Sequence, residues 1–204
     1  MIDNYLINLF TSALISHFDN GYEYTQIIEG KQTFIVRQSP DDIVKASVLH
    51  LGSNLDGAIE SARLILKKKY KVPIGLSIQH NIFLIRCHSI HHTGIVWVVN
   101  SHIHDIEPDP NDRKKTIIHF IDNHSLTVHM KVDLLQTKRN QALYLHSVLL
   151  ERSKMTKTMT LLYEEDKGII FVKEAGQLNY TVKSKEKEKE KEVVKNQSAQ
   201  FNKE

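Results

Sequence analysis

The chain has very little cysteine: Cys87 is the only one among 204 residues. One thiol cannot build an internal disulfide framework, and its isolation fits a reducing cytoplasm, where the protein is expected. It also excludes a multi-cysteine zinc site within one chain. Long apolar runs are missing too, so no bilayer span and no membrane partner are expected. The opening stretch MIDNYLINLFTSALISHF carries an aspartate where a secretory signal carries Lys or Arg, and it has no basic leading region. Catalytic signatures are equally scarce. There is no phosphate-binding GxxxxGK[ST] loop, no GxGxxG turn, no GxSxG elbow, no HExxH or CxxC spacing and no paired-carboxylate pattern. The chain is read as a non-enzyme that needs no cofactor.

What is present is a globular composition. Apolar residues make up 41% and charged residues 25% of the chain, and the length suffices for one domain with a real core. The net charge of +3 hides a segregation. Residues 1–60 carry 3 basic and 8 acidic side chains, whereas residues 61–157 carry 15 basic and 7 acidic ones. A basic, histidine-rich middle suits an anionic partner such as nucleic acid. On charge alone, a solvated lysine-rich surface explains it as well.

Hydrophobic periodicity gives the elements. Ile2, Leu6, Leu9, Phe10, Ala13, Leu14 and Phe18 fall largely at helical spacing, which predicts an amphipathic helix over residues 1–20 that docks on the body of the protein or on a partner. EYTQIIEGKQTFIVRQ reads as a hairpin turning at Glu29-Gly30-Lys31. In SPDDIVKASVLHL, Ser39 is a cap and Pro40 a first-turn residue of a helix. GSNLDGAIESARLILKKKYKVP reads as the clearest helix, with Ser53 and Asp56 as a capping box, an apolar stripe through Leu55, Ala58, Ile59, Ala62, Ile65 and Leu66, and lysines at its end. A hairpin turns near Gln79-His80-Asn81, IVWVVNSHIHDIEP reads as one long strand, and a second hairpin turns at Asp122-Asn123-His124. A helix follows with Leu134, Leu135, Ala142, Leu145, Val148 and Leu149 toward the core, then a last hairpin in MTLLYEEDKGIIFVK. The Lys/Glu alternation of 181–204 has no apolar face and is expected to stay disordered. Residues 21–180 are expected to form a single α+β domain of antiparallel β-hairpins forming a sheet with a few packing helices.

Two sets of residues could carry chemistry. RCHSIHHTGIVWVVNSHIHD, residues 86–105, concentrates five histidines with Cys87, Trp97 and Asp105. Zinc accepts such ligands, and His102 and His104 would share one face of a strand. Yet adjacent Cys87 and His88 would point apart in an extended segment, and the histidines continue at His119, His124 and His129. They are read as structural or surface residues, with no metal, and Trp97 as a packing anchor. No oxyanion-hole signature accompanies Cys87, which is read as inert packing. The second set is basic: Arg63, Lys67, Lys68, Lys69 and Lys71 at a helix end, Arg113, Lys114 and Lys115 in a loop, and Lys138 and Arg139 on the last helix. Such groups can neutralise phosphates or enter an A·T-rich minor groove. Each also serves solubility.

Several segments, read in order, resemble the ComK family of bacterial competence transcription factors. SPDDIVKASVLHLGSNLDG, residues 39–57, is similar to that family's entry segment, with Ser47, His50, Leu51, Gly52, Ser53 and Gly57 at the matching positions. In KVPIGLSIQHNIFLIRCHS, Lys71, Pro73, Ile74, Ile82, Phe83 and Leu84 match. WVVNSHI matches through Trp97 and His102, and FIDNHSLTVHM through Asn123. The resemblance covers roughly residues 36–150. It implies a cytoplasmic, DNA-binding activator of DNA-uptake genes that binds paired A·T-rich boxes as a homo-oligomer, chiefly through the minor groove, and is kept low by adaptor-directed proteolysis. TLLYEED, residues 160–166, resembles the adaptor-recognition segment. After Gly57 the family has a basic pair where this chain has Ala58 and Ile59, and the family's Ser-Tyr-x-Ser is Lys131-Val132-Asp133-Leu134 here. The chain resembles a divergent paralogue. The first choice for its DNA face is Arg63, Lys67, Lys68, Lys69 and Lys71, then Arg113, Lys114 and Lys115, then Lys138 and Arg139. The alternative is a regulatory protein that does not bind DNA and instead modulates a competence factor or its degradation adaptor.

Overall fold

A computed structural model describes residues 2–90, 94–156, 159–164 and 168–173, with side chains to residue 154. Its centre is a six-stranded sheet. The strands are β1 (Thr11–Asp19), β2 (Tyr22–Glu29), β3 (Gln32–Val36), β4 (Ile74–Ser77), β5 (Ile82–His88) and β6 (Ile95–Val99), in the order β3-β2-β1-β6-β5-β4. Every neighbouring pair is antiparallel. Two meanders thus meet at β1 and β6, and the helices α1 (Pro40–His50) and α2 (Leu55–Leu66) lie in the connection between them. A three-stranded sheet follows, ordered β7 (Ile103–Pro108), β8 (Thr116–Phe120), β9 (Ser125–Val128), then the long helix α3 (Val132–Thr156). The chain divides into a unit ending at Leu150 and a second one beginning at Glu151. In the second, β10 (Met159–Glu164) and β11 (Gly168–Lys173) form a hairpin.

Both faces of the six-stranded sheet are covered, which the alternation of its strands records. Leu84, Trp97 and Val99 join Ile43, Val44 and Val48 of α1 in one core cluster. Phe83, Ile85, Cys87, Val96 and Val98 join Ile118, Phe120 and Val128 of the second sheet and Leu135, Ala142 and Leu145 of α3 in the other. The Trp97 indole N–H donates to Asp41 at 2.7 Å, and the Arg86 guanidinium lies over its ring. The α+β arrangement of hairpins and packing helices agrees with the sequence, as do the hairpins at 22–36, 74–88 and 116–128 and the last helix.

The N-terminal helix does not form. Residues 11–19 are the central strand β1, and residues 2–10 form an extended arm beside β3 and α1, tied by Arg37 N–H to the Ile2 carbonyl and Ile7 N–H to Ser47 Oγ. A strand with both faces covered buries successive residues, and Thr11, Ser12, Ala13 and Leu14 are all buried. Such a run lacks the alternation that identifies a half-exposed strand. The residues at helical spacing, Leu6, Leu9, Phe10 and Phe18, stay exposed. Leu134 on α3, expected in the core, is exposed as well.

Two local expectations also shift. Ser53 does not cap α2, because its N–H donates to the Val48 carbonyl in the turn that closes α1 around Gly52, whose φ is +76°. Asn54 takes the cap, with Oδ1 accepting from Gly57 N–H at 2.6 Å. The expected long strand breaks after Val99: Asn100–His102 form a 3-10 turn that carries the chain from the first sheet into the second. His102 and His104 therefore do not share a strand face. The expected disordered tail at 181–204 lies outside the described residues.

Candidate nucleic-acid interface

The basic residues near residue 67 converge because α2 ends there. Lys67 takes a left-handed conformation, φ +52° and ψ +41°, and its N–H donates to the Arg63 carbonyl. Lys68 N–H donates to the same carbonyl at 3.2 Å. The chain then crosses a short turn to Val72, Pro73 and Ile74, which are buried. Everything between, Lys67 to Lys71, is exposed. Arg63, Lys67, Lys68 and Lys69 line one open groove of about 410 Å³ together with Glu60, Leu64 and Tyr70. Its single carboxylate, Glu60, is 3.4 Å from Arg63, so the lysines carry the groove's net charge.

The turn is conformationally unusual. Five non-glycine residues have positive φ among those described. Three are asparagines, Asn20, Asn81 and Asn123, a type that tolerates this region. The other two are Lys67, whose left-handed turn closes α2 on the Arg63 carbonyl, and Lys71. Backbone strain of this kind persists where surrounding structure enforces it, and it clusters at functional sites. Part of the enforcement comes from α3: Lys138 Nζ donates to the Lys71 carbonyl at 2.9 Å.

That bond also removes Lys138 from the expected DNA face. The side chain is 5% exposed, so its ammonium supports the turn from inside and is not presented to a partner. Burial holds its pKa below the ordinary lysine value; Lys71 and Arg86 act in the same sense, and Cys87 opposes them. Arg139 also turns inward, with Nη2 donating to the Ile103 carbonyl at 3.3 Å and Nε buried. Sequence spacing placed both residues on a helix but could not say which face of α3 would meet the sheet.

Arg113, Lys114 and Lys115 form a separate cationic feature in the loop between β7 and β8 and do not line the groove. Arg113 and Lys114 are exposed. Lys115 lies 3.5 Å from Asp112, whose carboxylate also accepts Lys114 N–H at 2.9 Å. That backbone bond, then the lysine, holds the Asp112 carboxyl below the usual carboxylate range. The positive field near Lys71 reaches the end of β5. The His88 imidazole is held below its ordinary value by burial and then by Lys71, Arg86, His129 and Lys138.

The histidine-rich strands are built differently. His102 Nδ1 is 2.9 Å from Ser12 Oγ, and burial lowers its pKa against the pull of Asp122 and of a bond to the Leu9 backbone. His119 sits between Ser125 Oγ at 2.8 Å and Glu107 Oε1 at 3.0 Å on the face of the second sheet. Burial pushes the Cys87 thiol up to about 12, so it stays protonated at neutral pH. Among the described residues no group of three or more His, Cys, Asp or Glu is placed to hold a metal ion. His91 and His92 lie outside them. No described helix is long and apolar enough to cross a membrane.

Two groove residues escaped the sequence reading, Leu64 and Tyr70. Tyr70 stands between Lys69 and Lys71, and an aromatic interleaved in a basic run was the available signal. Leu64 looked like one more apolar helix residue.

A protein-family model described as ComK protein matches residues 2–154. No curated protein matches the chain. No solved structure matches it either.

Proposed function

The chain belongs to the ComK family of competence-related transcription factors, and from that premise we propose that it is a cytoplasmic DNA-binding activator of DNA-uptake genes. It binds paired A·T-rich boxes as a homo-oligomer, chiefly through the minor groove. The observation that carries this reading is the convergence of Arg63, Lys67, Lys68 and Lys69 on one open groove with a single carboxylate. Cations held together on a preformed turn neutralise adjacent phosphates and release their counterions, which gives affinity and steep salt dependence. Lys71 extends this face from the same turn, and the Arg113–Lys115 loop supplies further phosphate contacts. Lys138 acts through the turn it supports.

The family's basic pair after Gly57 is replaced here by Ala58 and Ile59, which pack against the core cluster on the α1 side. The lysines at the far end of α2 take over the contact. A proteolysis adaptor is a further partner, engaging residues 160–166. That segment begins in β10, and its last two residues lie outside those described.

A mobility-shift titration on A·T-box duplex across a salt range tests the reading. The Lys67→Ala, Lys68→Ala, Lys69→Ala triple variant is expected to bind weakly, with the salt slope reduced by about 0.9 for each phosphate that is no longer neutralised. An unchanged affinity and slope would remove the groove from the DNA face. No binding by the native chain at low salt, together with a stable complex with a competence factor or its adaptor, would establish the non-DNA-binding regulator instead.

A further inference from the structure

His88 belongs by sequence to the histidine-rich strands, but the fold places it in the field of the lysine turn. It stands exposed at the end of β5. Its carbonyl accepts the His129 N–H at 3.0 Å, which brings the end of β9 alongside. Among the described residues, every ionisable group that acts on its imidazole is basic: Lys71, Arg86, His129 and Lys138. Two of these are already engaged. The Arg86 guanidinium lies over the Trp97 ring and 3.6 Å from Asp41, and Lys138 Nζ donates to the Lys71 carbonyl. Lys71 and His88 are both exposed, and Lys71 ends the turn that presents Lys67, Lys68 and Lys69. Gathering basic groups in this way costs the fold free energy, since each disfavours charge on its neighbours. An anion seated beside them offsets that cost.

We infer that Lys71 and His88 form a second phosphate-binding site of the DNA face, one that takes up a proton when a backbone phosphate enters it. The inference rests on the lysine turn being the DNA face and names how acidity regulates that face. In the free chain, burial and then the four basic neighbours keep the His88 imidazole below its ordinary value, so the ring is largely neutral near neutral pH. A phosphate reverses the sign of the local field and favours the charged form. A proton from solvent then converts the imidazole to imidazolium, which donates from both ring nitrogens where the neutral ring donates from one. Lys71 is fixed for the contact by its left-handed backbone, φ +55°, and by the Lys138 bond to its carbonyl. Little of the contact energy is then lost to ordering the turn. Histidine is the side chain whose charge ordinarily changes between about pH 5 and 8, so the linkage is readable as a pH dependence of binding.

The test is a fluorescence-anisotropy titration of the full chain on A·T-box duplex at pH 6 and pH 8, each across a salt range. The native chain is expected to bind about tenfold more tightly at pH 6, within what one linked proton can supply. Its salt slope should be steeper there by about 0.9, for one further phosphate neutralised. His88→Gln is expected to lose both changes and to keep the native affinity at pH 8. His88→Arg carries a fixed cation and should bind tightly, with the steeper slope, at both pH values. Lys71→Ala should weaken binding at both and shrink the difference between them. Since Lys71 and His88 are exposed, all four proteins should share one circular-dichroism spectrum at each pH. Equal native affinity at the two pH values, or a pH effect that His88→Gln retains, would overturn the site and leave the DNA reading standing. Failure of the native chain to bind at either pH would overturn the DNA reading itself.

Discussion

The lysine turn at residues 67–71 and the histidine-rich strands β5 to β7 both gather chemically capable side chains, and the fold treats them in opposite ways. In the strands the polar atoms are spent internally or on the sheet surface. Asp41 receives the Trp97 indole N–H, Ser12 meets His102, and the Cys87 thiol is buried against α3. In the turn the cations face outward and are left without enough carboxylate to neutralise them. Residue type alone made the first segment look like a site. Which side chains keep their charge available to a partner is a better criterion, and burial decides it.

This contrast fails if the strands prove dispensable for stability or the turn proves necessary for it. The largest effect is expected from Trp97→Ala, which removes a 5%-exposed anchor and its hydrogen bond to Asp41 and should cost about 3–5 kcal/mol in a urea titration. The lysine triple variant should by contrast shift stability within about 0.5 kcal/mol, because its positions are exposed.

A smaller effect comes from two histidines whose pKa values the fold lowers, the half-buried His102 and the exposed His88. Burial holds the His102 pKa below the ordinary imidazole value, so below about pH 6.5 the unfolded chain binds this proton before the folded chain does. Stability is therefore complete above that pH and falls as pH drops toward the folded value. His88 contributes in the same direction. His102→Gln should lose less stability than the native chain between pH 7.5 and 5, as read from urea midpoints. An equal loss would place the acid sensitivity elsewhere.

The smallest effect concerns the turn's backbone. Lys67→Gly relieves a left-handed lysine and should stabilise the fold by about 0.5–1 kcal/mol, net of glycine's greater unfolded-state entropy. Affinity for A·T-box duplex should weaken, since one cation is removed and the turn loosens. Thermal melts and anisotropy titrations read the two quantities separately.

Much of the fold was legible from residue order. Ser39-Pro40 announced α1, and Asn123 sits in its turn with a φ of +64°. Arg63 and Lys67–Lys69 were placed together because α2 had a clear stripe and a lysine-rich end. The N-terminal helix failed for a physical reason: β1 is covered on both faces, so Thr11 to Leu14 are buried in succession, and a short run of that kind has no period to read. Lys138 and Arg139 failed because basic residues on a helix carry no mark of the face that docks.

The α+β class, most element positions, the basic middle of the chain and its resemblance to a family all follow from the order of residues alone. These are local or additive properties, set by neighbours in the chain or by counting. Three features needed the folded chain: Lys138 as a buried support, the change of sheet at Asn100–His102, and Leu64 standing with Tyr70 among lysines. Each depends on which residues meet across long separations, such as the 67 positions between Lys71 and Lys138. It depends too on which surfaces remain exposed once the two core clusters have closed.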